Sequence, residues 1–162
     1  MRLLRGLGLA LAALVALVVA VGVAARFADG PLGPFPGGPF ESGERVSAEG
    51  VDWSFLRDVG EVELQLLDPP RSRTTWIVLH DGTPHVPAGF LDLPLWKQWP
   101  HEAARDGRAL LRVRGRIYPV RAEKVTDRAV YRALAERSGE KYGLGGGEAD
   151  PSSVWFFRLE PR

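Results

Sequence analysis

The sequence predicts an α+β fold: a small antiparallel β-barrel of about six strands and two helices, preceded by one N-terminal transmembrane helix. Three observations predict it. The chain begins with one long apolar run, short segments of alternating polar and apolar residues recur from residue 60 onward, and two segments of helical period interrupt them. Short turns between consecutive strands indicate antiparallel pairing. An open sheet this small would leave two exposed edges, which favours closure into a barrel.

The length and composition of the chain are typical of one folded domain with a short additional segment. The chain has 162 residues, of which 45% are hydrophobic and 25% charged, as in ordinary globular proteins. A net charge of +1 gives no reason to expect nucleic acid as a partner. Because there is no cysteine, disulfides, thiolate chemistry and cysteine-ligated zinc are excluded.

Histidine supplies the neutral nitrogen ligands that remain. His80 and His85 flank a DGTP turn, and His101 lies further along, but no HExxH motif or dense carboxylate–histidine cluster accompanies them. We therefore expect no metal site.

The apolar run from Gly6 to Ala25 contains no charged or polar side chain. Its length corresponds to about 30 Å of helix, the thickness of a hydrocarbon core. Arg2 and Arg5 precede it, so the positive-inside rule places the amino terminus in the cytoplasm and the domain outside it. The alternative is a signal peptide cleaved near Val23–Ala25, releasing a secreted protein. The run exceeds the usual apolar length of roughly 7 to 15 residues in a signal peptide, which favours an uncleaved membrane anchor over residues 1–26.

Residues 27–45 form a Gly/Pro-rich linker in which neither a helix nor a central strand is expected. Two interpretations stay open. The segment is a spacer that lifts the domain off the membrane, or an extended strap packed across the domain, which would explain its apolar residues Phe27, Leu32, Phe35 and Phe40.

Residues 46–162 form the barrel domain. A short helical turn at 52–56 precedes strands at 60–68, 72–80 and 84–90, and the Asp81-Gly82 pair indicates a hairpin between the last two. Trp96, Trp99 and Ala103 fall on one helical face, with a boundary at Pro100. A basic hairpin over 108–125 turns near 114–116. A helix over 127–143, capped by Thr126 or Asp127 and ended or loosened at Gly139, leads through a glycine loop to a last strand at 152–160.

The order of these motifs resembles that of the split β-barrel flavin-binding proteins. The chain is similar to the pyridoxamine-phosphate-oxidase-like group, and most of all to its deazaflavin-dependent nitroreductase branch, over about residues 53–159. The resemblance rests on the basic, hydroxyl-rich strand entry RSRTT at 71–75 and on the hairpin HDGTPHVP at 80–87. It rests further on the helix WKQWPHEAARDG at 96–107, which feeds the strands of RALLRVRGRIYPVRAEKVTD at 108–127.

The resemblance implies a split β-barrel fold, a site at the entry to the second strand, and FMN or a deazaflavin as cofactor. The flavin would carry the chemistry, so no catalytic side chain is assigned. Two arginines there would bind the cofactor phosphate with charge-assisted donors, the hydroxyl residues would add further donors, and aromatic residues and a lysine would contact the ring or tail. A tyrosine after the second helix would face the substrate. In chain order these residues are Arg71, Ser72, Arg73, Thr74, Thr75, Trp76, Trp96, Lys97 and Tyr142.

Two functions are open at this point. The first is a membrane-anchored flavin- or deazaflavin-dependent oxidoreductase, like a nitroreductase or quinone reductase, that reduces a small or lipid-soluble acceptor. The second is a cofactor-free split-barrel module that binds or interacts in the cell envelope. In the second case residues 71–75 are a solvated strand entrance, and Trp96 and Trp99 simply pack a helix into the core. The membrane partner is lipid around residues 6–25, and the resemblance also suggests a homodimer.

Overall fold

A computed structural model describes residues 2–89, 91, 98–143 and 150–162, with the side chains of the first helix from residue 6 onward. The helices are α1 (Arg2–Ala25), a 3-10 helix (Trp53–Asp58), α2 (Trp99–Arg105) and α3 (Arg128–Tyr142). The strands are β1 (Glu44–Arg45), β2 (Glu61–Leu67), β3 (Pro70–Trp76), β4 (Val78–His80), β5 (Thr83–Ala88), β6 (Arg108–Val113), β7 (Arg116–Lys124) and β8 (Trp155–Pro161).

The strands curl into a barrel, which confirms the predicted α+β class. They pair in the order β3-β2-β6-β7-β8-β5-β4, antiparallel throughout, while the short β1 adds in parallel to β7. The two ends of this order, β3 and β4, are separated in sequence by Ile77 alone. One strand bent at Ile77 therefore pairs with β2 at one end and with β5 at the other, and this bend closes the sheet around a core.

Alternation along the strands decides which side chains enter the core. Val62, Leu64 and Leu66 of β2 are buried there, as the period of two predicts. Trp99 and Ala103 on α2 are buried in the same cluster, as predicted for these two residues of the helical face, while its third residue, Trp96, lies outside the described residues. The remaining core comes from the 3-10 helix and from the inward faces of the other strands: Trp53, Leu56, Ile77, Val86, Leu111, Val113, Val120, Phe157 and Leu159.

The turns and helix ends follow local chemistry. Asp81 and Gly82 both have positive φ, as does the Arg114-Gly115 pair, so both hairpins turn where the sequence predicts. The Asp127 carboxylate accepts from the amides of Ala129 and Val130 and caps α3.

Helix α3 runs through Gly139 to Tyr142, close to the predicted bounds of 127–143, and its cap is Gly143 in the left-handed conformation. The last turn is held by contacts that Lys141 and Tyr142 make with the barrel.

The linker packs across the outer face of the barrel, and we call residues 28–42 the strap. Gly37 and Ser72 exchange two backbone hydrogen bonds of 2.9 and 3.2 Å, and the Phe40 amide donates to Gln65 Oε1 at 2.7 Å. A Cβ on Gly37 would lie 1.7 Å from Gly30 O, so only glycine fits this crossing. The strap is therefore part of the fold and not a free spacer.

Two further contacts fix the strap. Phe40 is buried with Leu110 and Ile117 in a second apolar cluster outside the barrel. Asp29 receives hydrogen bonds from Ser42 and from Arg112, whose guanidinium also binds Glu63. In contrast, Phe27 and Leu32 remain 84% and 50% exposed.

Within α1, the segment Gly6–Ala25 is long and apolar enough to cross a membrane, with a mean hydropathy of 2.8. Its length and composition are those of a membrane span, and they are shared by signal sequences near an N-terminus.

Candidate functional site

A broad cleft lies beside the bent strand, between β3, the ends of β7 and β5, the start of β8, and α3. Its volume of about 2310 Å³ exceeds the roughly 300–1,000 Å³ of a closed ligand pocket, so it is an open groove. Four of the predicted site residues line it together: Arg73, Thr74, Thr75 and Trp76.

Arg73 is less exposed than the other charged residues that line the cleft. Most of its side chain is buried, and its Nε has no hydrogen-bond partner among the described residues. Burial lowers the pKa of Arg73 to about 10, an effect that nearby Glu102 opposes and Arg71 reinforces. The group still carries its charge at neutral pH. Its Cζ lies 5.1 Å from the centroid of the Trp99 ring, and this cation–π contact helps to position the guanidinium.

The three residues that follow Arg73 offer hydroxyls and an aromatic face. Thr74 is exposed, and Thr75 is half-buried with its hydroxyl 3.5 Å from Pro87 O, at the limit of a hydrogen bond. Trp76 is 37% exposed and stacks on Tyr142, with ring centroids 4.3 Å apart and an angle of 10° between the planes. A new acceptor could take the Thr75 O–H only in place of this long bond to Pro87 O, and Trp76 presents one free face.

Sequence reasoning missed further residues of the cleft, among them Lys124 and Trp155. The Lys124 ammonium lies 3.2 Å from the centroid of the Trp155 ring, and burial lowers its pKa. The two are distant in sequence and meet because β7 pairs with β8, where Lys124 lies opposite Phe157. The signal that could have found them is the β7–β8 register, which no local motif specifies.

Two predicted site residues lie away from the cleft. The Ser72 side chain is fully buried, its hydroxyl donates to Gly38 O at 2.6 Å, and its backbone pairs with Gly37. A contact between this hydroxyl and a cofactor phosphate would require the strap to leave. Arg71 lines a second, smaller cavity at the end of α1 instead.

Tyr142, predicted to face the substrate, contacts the backbone around the bend at Ile77, and we call this part of the barrel the seam. Its hydroxyl accepts from the Ile77 amide at 2.9 Å and lies 2.7 and 2.8 Å from the carbonyl oxygens of Gly60 and Ile77, to one of which it donates. The neighbouring Lys141 ammonium donates to three carbonyl oxygens, those of Leu56, Val59 and Ile77. The last turn of α3 thus satisfies the backbone that the bend leaves unpaired.

The remaining predicted site residues, Trp96 and Lys97, fall outside the described residues. Within the described part of the chain, no group of three or more histidine, aspartate or glutamate side chains could hold a metal ion. His80 and His85 do approach each other, with ring centroids 6.1 Å apart.

Comparisons with known proteins give little direct information. No family model and no curated protein matches the chain. A solved structure from Listeria innocua, provisionally described as a pyridoxamine 5'-phosphate oxidase, is similar at 18% sequence identity and a TM-score of 0.49. The match covers 67% of this chain and 89% of that one. The narrower resemblance to deazaflavin-dependent nitroreductases remains a prediction.

Proposed function

We propose that the protein is a membrane-tethered oxidoreductase that binds FMN or a deazaflavin in the cleft. The observation that carries the proposal is Arg73, a largely buried guanidinium whose Nε has no partner among the described residues and which lines the cleft with two threonines. A buried donor without an acceptor costs roughly 1–3 kcal/mol, and more when charged. An anion in the cleft would remove this cost.

The ligand is anionic at one end and planar at the other. Arg73 supports phosphate binding, because a guanidinium matches two phosphate oxygens at once. Thr74 and Thr75 provide hydroxyls next to it, and the free face of Trp76 provides a stacking surface for a ring. The choice of a flavin among such ligands follows the resemblance described above.

The residues of this chain would bind and orient the cofactor, and the bound flavin would supply the redox chemistry. Arg73 and the threonines would hold the phosphate, while Trp76 would shield one side of the ring from water. Lys124 also lines the cleft, with its ammonium against the Trp155 ring. Its ammonium would favour a ring that carries negative charge after reduction.

A membrane location suits a lipid-soluble acceptor such as a quinone. We infer that α1 stays attached as an anchor, with the amino terminus in the cytoplasm. Two contacts support an uncleaved helix: Ala25 is fully buried, and the Phe35 ring lies 3.4 Å from the position of a Cβ on Gly22. The strap thus packs against the end of α1.

The test uses the full chain in nonionic detergent. Absorption and fluorescence are recorded during titration with FMN and with a deazaflavin, and the loaded protein is then reduced and mixed with a soluble quinone. We expect saturable binding, weakened at least tenfold by Arg73→Gln, and quinone-dependent reoxidation. Arg137→Gln, on an exposed part of α3 outside the cleft, is the matched control and should bind as the wild type does. A folded protein that binds neither cofactor would rule out the proposal.

A specific observation favours a second candidate, a cofactor-free binding module. The resemblance assigns Ser72 and Tyr142 to the site, but the Ser72 hydroxyl is hydrogen-bonded to the strap and the Tyr142 hydroxyl to the seam. The cleft is also wide enough for a peptide or another protein surface. Absence of flavin binding in the same titration would favour this function.

A further inference from the structure

A second, smaller cavity lies between the end of α1, the strap and β3, and we call it the notch. Its volume is about 380 Å³. Val19 and Val23 of α1 and Phe35 of the strap give it an apolar side, while Arg26 and Arg71 give it a basic end. The notch therefore combines, over one helical turn or two, a hydrocarbon-like wall and two positive charges.

Nothing in the described part of the chain neutralises these charges. Neither Arg26 nor Arg71 takes part in an ion pair or a side-chain hydrogen bond there. The one acidic side chain of the adjoining strap turn, Asp29, binds Arg112 and Ser42 instead. Arg26 and Arg71 are therefore available to bind an anion from outside the chain.

The position of the notch indicates where that anion comes from. Arg26 follows directly on Gly6–Ala25, so it lies at the level where a membrane-spanning helix leaves the hydrocarbon core. Phe27 and Leu32, on the neighbouring part of the chain, are 84% and 50% exposed. Apolar and basic side chains side by side at this level match the boundary between acyl chains and headgroups.

We propose that the notch binds the headgroup of an anionic phospholipid from the leaflet into which α1 emerges. The phosphate region would lie between Arg26 and Arg71, and the first methylenes would follow Val19 and Val23. The proposal rests on α1 crossing a membrane but not on cofactor binding in the cleft. Because the strap is fixed to the barrel, the bound lipid would also set the height of the cleft above the membrane, with Phe35 and Pro36 forming a wall shared by both cavities.

The test is native mass spectrometry of the full chain released from detergent micelles that contain equal amounts of dioleoylphosphatidylglycerol and dioleoylphosphatidylcholine. Both lipids carry a phosphate and the same acyl chains. Their headgroups differ, and phosphatidylglycerol has a net negative charge whereas phosphatidylcholine has none. We expect preferential retention of phosphatidylglycerol. The double variant Arg26→Gln/Arg71→Gln should weaken it roughly 25-fold, at about fivefold per arginine near a membrane surface. Arg26→Lys/Arg71→Lys should restore most of it, and Arg137→Gln is the control.

Two results on lipid retention, and one on membrane extraction, would each overturn the proposal. One retention result is that the wild type retains the two lipids equally. The other is that a folded Arg26→Gln/Arg71→Gln variant retains phosphatidylglycerol as well as the wild type does. Alkaline extraction of membranes is measured first. Release of the protein into the supernatant would show that α1 is not a membrane anchor, and would overturn the proposal with it. Flavin titration of the same samples measures cofactor binding in the cleft independently of lipid binding.

Discussion

Acidification is expected to destabilise the barrel through one buried imidazole, that of His85. The residue lies in β5 and is 2% exposed. Its Nδ1 is 3.0 Å from Thr83 O, and its Nε2 has no partner among the described residues. Burial lowers the pKa of His85 to about 4, the Thr83 carbonyl opposes the change, and the nearby His80 and Arg158 add to it. The imidazole is therefore neutral in the fold at physiological pH.

The magnitude follows from the two pKa values. The unfolded chain takes up the proton near pH 6.5, and the folded barrel only near pH 4. Between these values the unfolded state binds more protons, so stability falls as the pH falls. At about 1.36 kcal/mol per pH unit, the free energy of unfolding should drop by roughly 2.5 kcal/mol between pH 7.5 and pH 4.5. Below about pH 4 this contribution levels off.

Urea unfolding of the full chain in detergent measures this free energy. Tryptophan fluorescence reports on the barrel alone, because all five tryptophans lie outside α1. His85→Phe should remove most of the decline between pH 7.5 and 4.5, while the exposed His101→Gln should keep it. A wild-type stability that stays constant over this range would refute the reasoning, as would an unchanged slope in His85→Phe.

Three other perturbations probe the strap and the seam. Phe40→Ala should cost about 3–5 kcal/mol through lost packing and speed proteolysis within the strap, whereas Phe27→Ala, at an exposed site, should change neither. Lys141→Met should lower the free energy of unfolding by about 2–3 kcal/mol, because three carbonyl oxygens lose a charged donor; an unchanged urea midpoint would contradict the seam described here. The pKa of Asp29 is held well below its usual value of 3.8 by hydrogen bonds from Ser42, Glu41 and Arg112, so strap docking should persist above that pH and weaken as the pH falls further. Hydrogen exchange at the Ser72 amide follows this release, and Asp29→Asn should show faster exchange already at neutral pH.

Local patterns predicted most of the fold. The alternation in β2, the Asp81-Gly82 turn and the Asp127 cap depend on residues a few positions apart, and each is found as expected. Helix α3 runs through Gly139 because a glycine inside a helix costs only about 1 kcal/mol, which the contacts of Lys141 and Tyr142 offset.

The site was harder to predict because it depends on long-range pairing. Arg73 lines the cleft, whereas Arg71, two residues earlier on the same strand, lines the smaller cavity at the end of α1. The burial of Ser72 follows from its pairing with Gly37, 35 positions earlier, which only the folded strap brings about. The Lys124–Trp155 pair likewise depends on the β7–β8 register.

The most direct test of the proposed cofactor site compares FMN with riboflavin, which lacks the phosphate, in wild type and in Arg73→Gln. Titration of the full chain in detergent, followed by flavin fluorescence, gives four dissociation constants. If Arg73 holds the phosphate, the wild type binds FMN at least tenfold more tightly than riboflavin, since hydrogen bonds to charged groups contribute roughly 1.5–3 kcal/mol. In Arg73→Gln the ratio of the two constants then falls close to one. A ratio near one in the wild type, or an undiminished ratio in the variant, would contradict the assignment of the cleft as a flavin phosphate site.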